Sequence, residues 1–279
     1  MKLQDLNLPQ QQAVKCLDRP CLVLAGAGSG KTGVITRKIA WLIHQGYDAH
    51  RIRAVTFTNK AAREMQQRVS RLLGPASRKG PGISTFHTLG LRILQQHAQQ
   101  LGYRRGFSIM DSRDVEACLS ELSHRDQRDS DVLKPAMYRI SRWKNDFIDA
   151  PTAVASATDP LTQTQALLYQ AYQQQLLACN AMDFDDLMML PVQLFREDES
   201  VLNRWQDKIQ YLLVDEYQDT NTSQYELIRQ LCGLRQKLTV VGDDDQSIYA
   251  WRGARPENIQ RLMHDFPGME IIKLEQNYR

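Results

Sequence analysis

No stretch of this 279-residue chain approaches the eighteen or so consecutive apolar residues of a membrane-spanning helix. Its first eight residues, Met1 to Leu8, lack the apolar core of a secretory signal. Both absences exclude a membrane partner and lead us to expect a cytoplasmic protein. Cysteine is sparse: Cys16, Cys21, Cys118, Cys179 and Cys232 lie scattered, with no Cys-x-x-Cys and no Cys/His cluster. That pattern argues against structural zinc and a disulfide framework and for reduced thiols. Charge of one sign is also lacking, since 35 basic and 32 acidic side chains leave a net +3. Any basic surface must therefore be local. There is no internal repeat and no low-complexity tract.

What is present centres on Ala25-Gly26-Ala27-Gly28-Ser29-Gly30-Lys31-Thr32. The apolar run Cys21 to Leu24 precedes it, and Val34, Ile35, Ile39, Leu42 and Ile43 follow at helical spacing. Strand, glycine-rich loop and helix in this order are the setting of a phosphate-binding loop. Glycines at 26, 28 and 30 let backbone N–H groups turn inward, and the helix presents its unpaired N–H groups and positive dipole end to an anion. Lys31 is placed to reach the β- and γ-phosphates, and Thr32 to ligate Mg²⁺. Ala25 stands where the G-x-x-x-x-G-K-[ST] pattern has its first glycine.

Further along, Pro9 is suited to open a helix over Gln10 to Leu17. Strands are expected at Arg53–Thr58, Ile83–Thr85, Tyr211–Asp215, Leu238–Val241 and Ile271–Leu274, with helices at Asn59–Leu73 and His87–Leu101. Alternating parallel strands and helices predict an α/β sheet with ligands at the strands' carboxyl ends. Between about 91 and 190 the periodicity is helical, with one possible strand at Phe107–Met110 and polar connectors at Ser123–Asp131 and Asp149–Thr164. This predicts a mostly helical subdomain inserted into the sheet domain.

Tyr211-Leu212-Leu213-Val214-Asp215-Glu216 delivers two carboxylates at a strand end. Beside a phosphate loop these suit a Mg²⁺-holding Asp215 and a Glu216 that polarises the attacking water. Val240-Val241-Gly242-Asp243-Asp244-Asp245-Gln246 leads a second strand into a polar cluster. Gln246 is suited to sense a γ-phosphate, while the three aspartates read as loop or cap residues, or as a second metal site. Tyr249, Trp251 and Arg252 follow; the two rings read as core or as a base-stacking platform. Thr56-Phe57-Thr58-Asn59-Lys60 and Ser84-Thr85-Phe86-His87-Thr88 each set hydroxyls beside an aromatic at a strand end, which suggests a track for nucleic acid. His87 has no visible metal partner. Asp183-Phe184-Asp185-Asp186-Leu187 favours helix capping or ion pairing over catalysis.

Together with Leu274-Glu275-Gln276-Asn277-Tyr278-Arg279, these motifs in order resemble superfamily 1A DNA helicases of the Rep/UvrD/PcrA type, and the Rep branch through Leu6-Asn7-x-x-Gln10-Gln11-Gln12-Ala13-Val14. The resemblance covers essentially the whole chain. It implies a RecA-like P-loop NTPase fold with lobe 1A at 1–88 and 190–279, insertion 1B at 89–189, and the second motor lobe (2A/2B) absent. It further implies ATP and Mg²⁺ as cofactors, single-stranded DNA and single-strand/duplex junctions as substrates, and replication or repair proteins as partners. By residue, the resemblance assigns Gln10 and Tyr278 to adenine, the loop Ala25 to Thr32 to phosphate, Lys31, Asp215, Glu216, Gln246 and Arg279 to hydrolysis, and Thr32 with Asp215 to the metal. Thr56, Phe57, Asn59, Thr85, Phe86, His87, Tyr249 and Trp251 are assigned to DNA. Gly33 departs, since UvrD and PcrA members carry arginine directly after the loop threonine. Two other readings stand beside 3′→5′ translocation and unwinding: a RecB/AddA-like helicase–nuclease motor, and a module that binds ATP and single strands without turnover.

Overall fold

The computed structural model describes residues 3–74, 80–123, 130–243 and 257–277. The strands in these residues are β1 (Cys21–Ala25), β2 (Ile52–Thr56), β3 (Gly82–Thr85), β4 (Ser108–Ile109), β5 (Ala181–Met182), β6 (Tyr211–Val214), β7 (Leu238–Gly242) and β8 (Glu270–Leu274). The helices are α1 (Leu8–Lys15), α2 (Lys31–His44), α3 (Asn59–Leu73), α4 (Phe86–His97), α5 (Ser112–Leu122), α6 (Ser130–Asn145), α7 (Ala150–Ser156), α8 (Pro160–Ala178), α9 (Asp186–Glu197), α10 (Glu199–Lys208), α11 (Thr222–Cys232) and α12 (Glu257–Asp265). They fall into two compact units, residues 1–89 with 198–279, and residues 90–197.

The first unit is built on a six-stranded sheet in the order β3-β2-β6-β7-β1-β8, parallel at every pairing. Apolar runs without alternation make its central strands, because both sheet faces are covered; β6 and β7 are buried throughout. Cys21, Val23 and Ala25 join Ile39, Leu42, Met65 and Leu213 in one continuous core with α1 to α3. β2 ends at Thr56, two residues short of the sequence expectation. Thr58 has turned to cap α3, its hydroxyl accepting the Ala61 N–H at 3.1 Å.

Among the described residues the second unit is helical apart from the β4–β5 pair, whose second strand the sequence did not announce. The connectors expected at 123–131 and 149–164 are partly helix. Asp149 and Asp159 each cap a helix and are followed by proline in the first turn, so α7 and α8 start inside the second of them. Trp143 and Tyr169 stack at 5.8 Å in a core with Leu119, Ile140, Tyr172 and Leu176. α9 continues the helical unit past residue 190, so the division falls at 197/198. Within this unit Pro191 deprives the Leu187 carbonyl of its helical donor, and Gly90 packs onto that oxygen so closely that a Cβ there would stand 1.9 Å away.

Candidate functional site

β1 ends at Ala25 and α2 begins at Lys31, so the intervening turn opens at the carboxyl edge of the sheet. Gly28 (φ 79°) and Gly30 (φ 88°) adopt left-handed backbone that a side chain resists. Gly30 has a second constraint, since a Cβ there would meet Gln10 Nε2 at 2.9 Å. The Gln10 amide makes two hydrogen bonds: Nε2 donates to the Ser29 carbonyl at 3.0 Å and Oε1 accepts the Asn7 N–H at 3.2 Å. Gln10 is thus buried against the back of the loop. Ser29 Oγ donates to the Gly26 carbonyl at 2.7 Å and closes the turn. Gly33 lies in the first turn of α2, and Arg37 reaches back over it, with Nη1 3.4 Å from where a Cβ would stand.

The Lys31 ammonium donates to the Ala25 carbonyl at 2.8 Å and to Asp243 Oδ2 at 2.9 Å. Asp243 is fully buried just past β7, and its role corrects the expectation of a mere loop or cap residue. Its N–H donates to Gln218 Oε1 at 3.0 Å, and Gln218 Nε2 donates to Glu216 Oε2 at 2.9 Å. Gly242 admits this approach, because a Cβ on it would lie 3.1 Å from Gln218 Oε1. A polar chain Lys31–Asp243–Gln218–Glu216 therefore crosses the carboxyl ends of β1, β7 and β6. Glu216 takes left-handed backbone (φ 52°), an uncommon state for a non-glycine residue and one that recurs at functional sites.

Asp215 stays in register with β2, its N–H donating to the Val55 carbonyl at 2.9 Å. Its Oδ1 is buried and has no hydrogen-bond partner among the described residues. Burial first, then the Glu216 charge, pushes its carboxyl up to about 7, against the pull of Lys31. Asp219 is raised to about 6 by the same two causes, and its Oδ1 is likewise buried and unsatisfied. An orphaned buried carboxylate oxygen beside the phosphate loop fits a divalent cation held by few protein ligands and by phosphate oxygens.

At the ends of β2 and β3 the assigned residues divide. Phe57 is half-buried, and Asn59 is exposed at the start of α3. Phe86, expected as a stacking group, is 1% exposed; it meets Phe57 edge-on at 5.6 Å and serves as its backing. Thr56 is buried as well, with an unsatisfied hydroxyl among the described residues. Thr85 Oγ1 caps α4 through the Thr88 N–H at 3.2 Å and pairs with the Thr88 hydroxyl at 2.9 Å, and His87 is half-buried. Gln246, Tyr249, Trp251, Tyr278 and Arg279 lie outside the described residues. Sequence reasoning missed Gln218, Asp219 and the pairing of Asp243. Only their position within three or four residues of the acidic pair or the β7 end pointed to them.

Fold and edge geometry define a RecA-like phosphate-loop domain. The chain belongs to the UvrD/REP helicase N-terminal domain family, which matches residues 6–267. It is 56% identical to the ATP-dependent DNA helicase Rep of Escherichia coli (strain K12) over 276 residues. It is 46% identical to Rep of Buchnera aphidicola subsp. Schizaphis graminum over 276 residues, and 43% identical to the ATP-dependent DNA helicase PcrA of Staphylococcus aureus (strain Mu50 / ATCC 700699) over 280 residues. These alignments cover 98–99% of this chain but only 41%, 42% and 38% of the respective relatives.

Proposed function

We propose that this chain is the nucleotide- and single-strand-binding motor portion of an ATP-dependent 3′→5′ DNA helicase acting in replication or repair. The observation that carries the reading is the polar chain from Lys31 through the buried Asp243 and Gln218 to Glu216, which ties a phosphate loop to an acidic pair on one sheet edge. In this reading the sheet unit makes the first motor lobe, expected at 1–88 and 190–279, and the helical unit its insertion, expected at 89–189, while the compact units divide at 89/90 and 197/198.

The triphosphate lies in the loop Ala25 to Thr32, its charge met by backbone N–H groups, the α2 dipole and Lys31. Thr32 and Asp215 hold Mg²⁺; the unsatisfied Asp215 Oδ1 supports that role. The ion, when bound, supplies charge neutralisation at the β- and γ-phosphates. Glu216, oriented by Gln218, accepts the proton of the attacking water. Gln246 senses the γ-phosphate, Gln10 and Tyr278 contact adenine, and Arg279 stabilises the transferring group. Single-stranded DNA crosses the ends of β2 and β3, where Phe57 stacks on a base and Asn59, Thr85 and His87 meet the backbone; Tyr249 and Trp251 extend the track. Junction binding, unwinding and repair or replication partners in the cytoplasm belong to the whole protein. Among the described residues no helix is long and apolar enough to cross a membrane.

The test is titration of residues 1–279 with a fluorescent ATP analogue and with oligothymidylate, followed by a phosphate-release assay. Mg²⁺-dependent analogue binding that Lys31→Ala abolishes, single-strand binding that Phe57→Ala weakens, and slow phosphate release are expected. Analogue binding indifferent to Lys31 overturns the reading. Phosphate release stimulated by DNA to the rate of a two-lobed motor contradicts the expected slow turnover.

A further inference from the structure

The opposite edge of the same sheet carries a second chemistry. Residues 47–53, 207–210 and 235–237 lead into β2, β6 and β7, so they gather at the amino ends of these strands, about 16 Å of strand away from the phosphate loop. Two concavities lie there. One, of about 350 Å³, is lined by His50, Arg51, Arg53 and Lys208 together with Asp48 and Asp207. The other, of about 530 Å³, holds Arg235, Lys237, Gln210 and Tyr47. They adjoin, because the Gln210 N–H donates to the Arg51 carbonyl at 2.7 Å.

Five Lys/Arg side chains against two aspartates line a chain whose overall charge is only +3, so this rim concentrates positive charge that composition alone does not reveal. Asp207 and Arg235 pair with each other at 2.5 Å, Lys237 Nζ donates to the Leu17 carbonyl at 2.9 Å and Arg53 Nη1 to the His50 carbonyl at 2.8 Å, so the outward charge rests chiefly on the exposed Arg51 and Lys208, the latter over the Trp205 ring at 4.6 Å. No aliphatic side chain lines either concavity among the described residues. Tyr47, the phenol ring of the second concavity, packs edge-on against Tyr211 at 5.9 Å. A protein partner anchors through buried apolar and aromatic contacts, which this rim does not offer. A phosphodiester backbone needs only spaced cations, and three of these are arginines, whose planar forks suit phosphate oxygens.

We propose that the amino edge is a second DNA-docking surface, which holds phosphates by charge without reading bases and is separate from the single-strand track at the carboxyl edge. It needs no nucleotide at Lys31, so it stands or falls apart from the function proposed above.

The experiment compares residues 1–279 with the charge-reversed pair Arg51→Glu/Lys208→Glu and the neutral pair Arg51→Gln/Lys208→Gln. Binding of a labelled blunt duplex is followed by anisotropy across a salt series. Loss of two phosphate contacts on duplex lowers the magnitude of the slope of log affinity against log salt by about 1.8. Both pairs are expected to show that drop while retaining wild-type affinity for an ATP analogue, which reports an intact fold. Phe57→Ala is expected to weaken oligothymidylate binding and leave the duplex slope unchanged. An unchanged slope in both pairs overturns the proposal and leaves the nucleotide reading intact. So does a poly-glutamate peptide that binds the wild-type rim while duplex does not. Absence of analogue binding with the slope change present removes the nucleotide reading alone.

Discussion

Asp243 occupies the ammonium that the proposed function assigns to a triphosphate. Its carboxylate pairs with Lys31 at 2.9 Å, in a site where the two side chains are 0% and 12% exposed. Removing one partner of such a pair leaves the other charge in a poorly solvated place, which costs more than the pair contributes net. Asp243→Asn is therefore expected to destabilise the chain without nucleotide by about 3 kcal/mol. A bound triphosphate would supply the missing anion, so the rise in melting temperature on adding ATP analogue should be larger in this variant than in wild type. Equal rises measured by thermal denaturation would show that Asp243 does not compete with phosphate. Arg37 offers a second residue-scale case. Long helical side chains lean toward the N-terminus, and this one brings its guanidinium over Gly33, beside the loop. A cation delivered from position 37 can serve the nucleotide where the chain lacks one at 33. Arg37→Ala should then weaken analogue binding about fivefold, roughly 1 kcal/mol, and Gly33→Arg added to it should restore affinity. Wild-type binding by the single variant would assign Arg37 to the surface.

At the scale of elements, α6, β5 and α9 meet through buried charge. Lys144 Nζ donates to Asp183 Oδ2 at 2.6 Å and to Asp186 Oδ1 at 2.8 Å, and the Tyr172 hydroxyl donates to Asp183 Oδ2 at 2.9 Å. Asp183 and Asp186 also exchange bonds, each accepting the other's N–H, so the pair caps α9 as well as anchoring α6. Burial works against the charge of Asp183, yet Lys144 and Tyr172 hold its carboxyl below the usual range. Burial first and the Asp183 charge second push Asp186 up to about 7. The signs follow by linkage. Asp183 contributes stability that is present above the ordinary carboxylate range and lost as pH falls through its depressed value. Asp186 binds its proton more tightly when folded, so its contribution is present at acid pH and lost as pH rises toward 7. Protection of α6 and α9 amides from hydrogen exchange should therefore peak near the ordinary carboxylate value, about pH 4, and fall from there to about pH 7, and Asp186→Asn should flatten that fall. Lys144→Met leaves two buried carboxylates without a cation and should cost about 3–5 kcal/mol; protection unchanged in that variant would deny the cluster an anchoring role. The elements themselves differ in legibility for physical reasons. β1, β2, β6 and β7 are apolar runs that end in polar or glycine residues, a local pattern that any reading finds. β5 is two residues long, and α7 and α8 begin at caps that look like polar connector. The partner of Lys144 lies 39 residues away, so only the folded chain joins them.

For the sheet unit as a whole, the proposed function sets the nucleotide and single-strand chemistry on one edge, and the residues gathered there were legible wherever a strand delivered them in one stretch. The phosphate loop, the acidic pair and Phe57 are of that kind. The connection between them was not, because it runs from β1 to β6 by way of Asp243 and Gln218, and neither residue belongs to a pattern that spacing alone makes visible. Gln218 is the joint of that connection, holding Glu216 with one end of its amide and the Asp243 N–H with the other. In the proposed function, phosphate at Lys31 would displace Asp243, and Gln218 would pass the shift to Glu216 and to β6, which pairs with β2 and hence with the Phe57 turn. Coupling of this kind is reciprocal: the factor by which ATP analogue changes oligothymidylate affinity must equal the factor by which oligothymidylate changes analogue affinity. For residues 1–279 a factor of about 5 or more is expected, worth roughly 1 kcal/mol. Gln218→Ala should bring it close to one while leaving each separate affinity within about twofold of wild type. Two titrations of each protein, analogue with and without DNA and DNA with and without analogue, measure the factor twice over. A variant that keeps the full factor would place the connection between the two sites elsewhere than in this hydrogen-bonded chain.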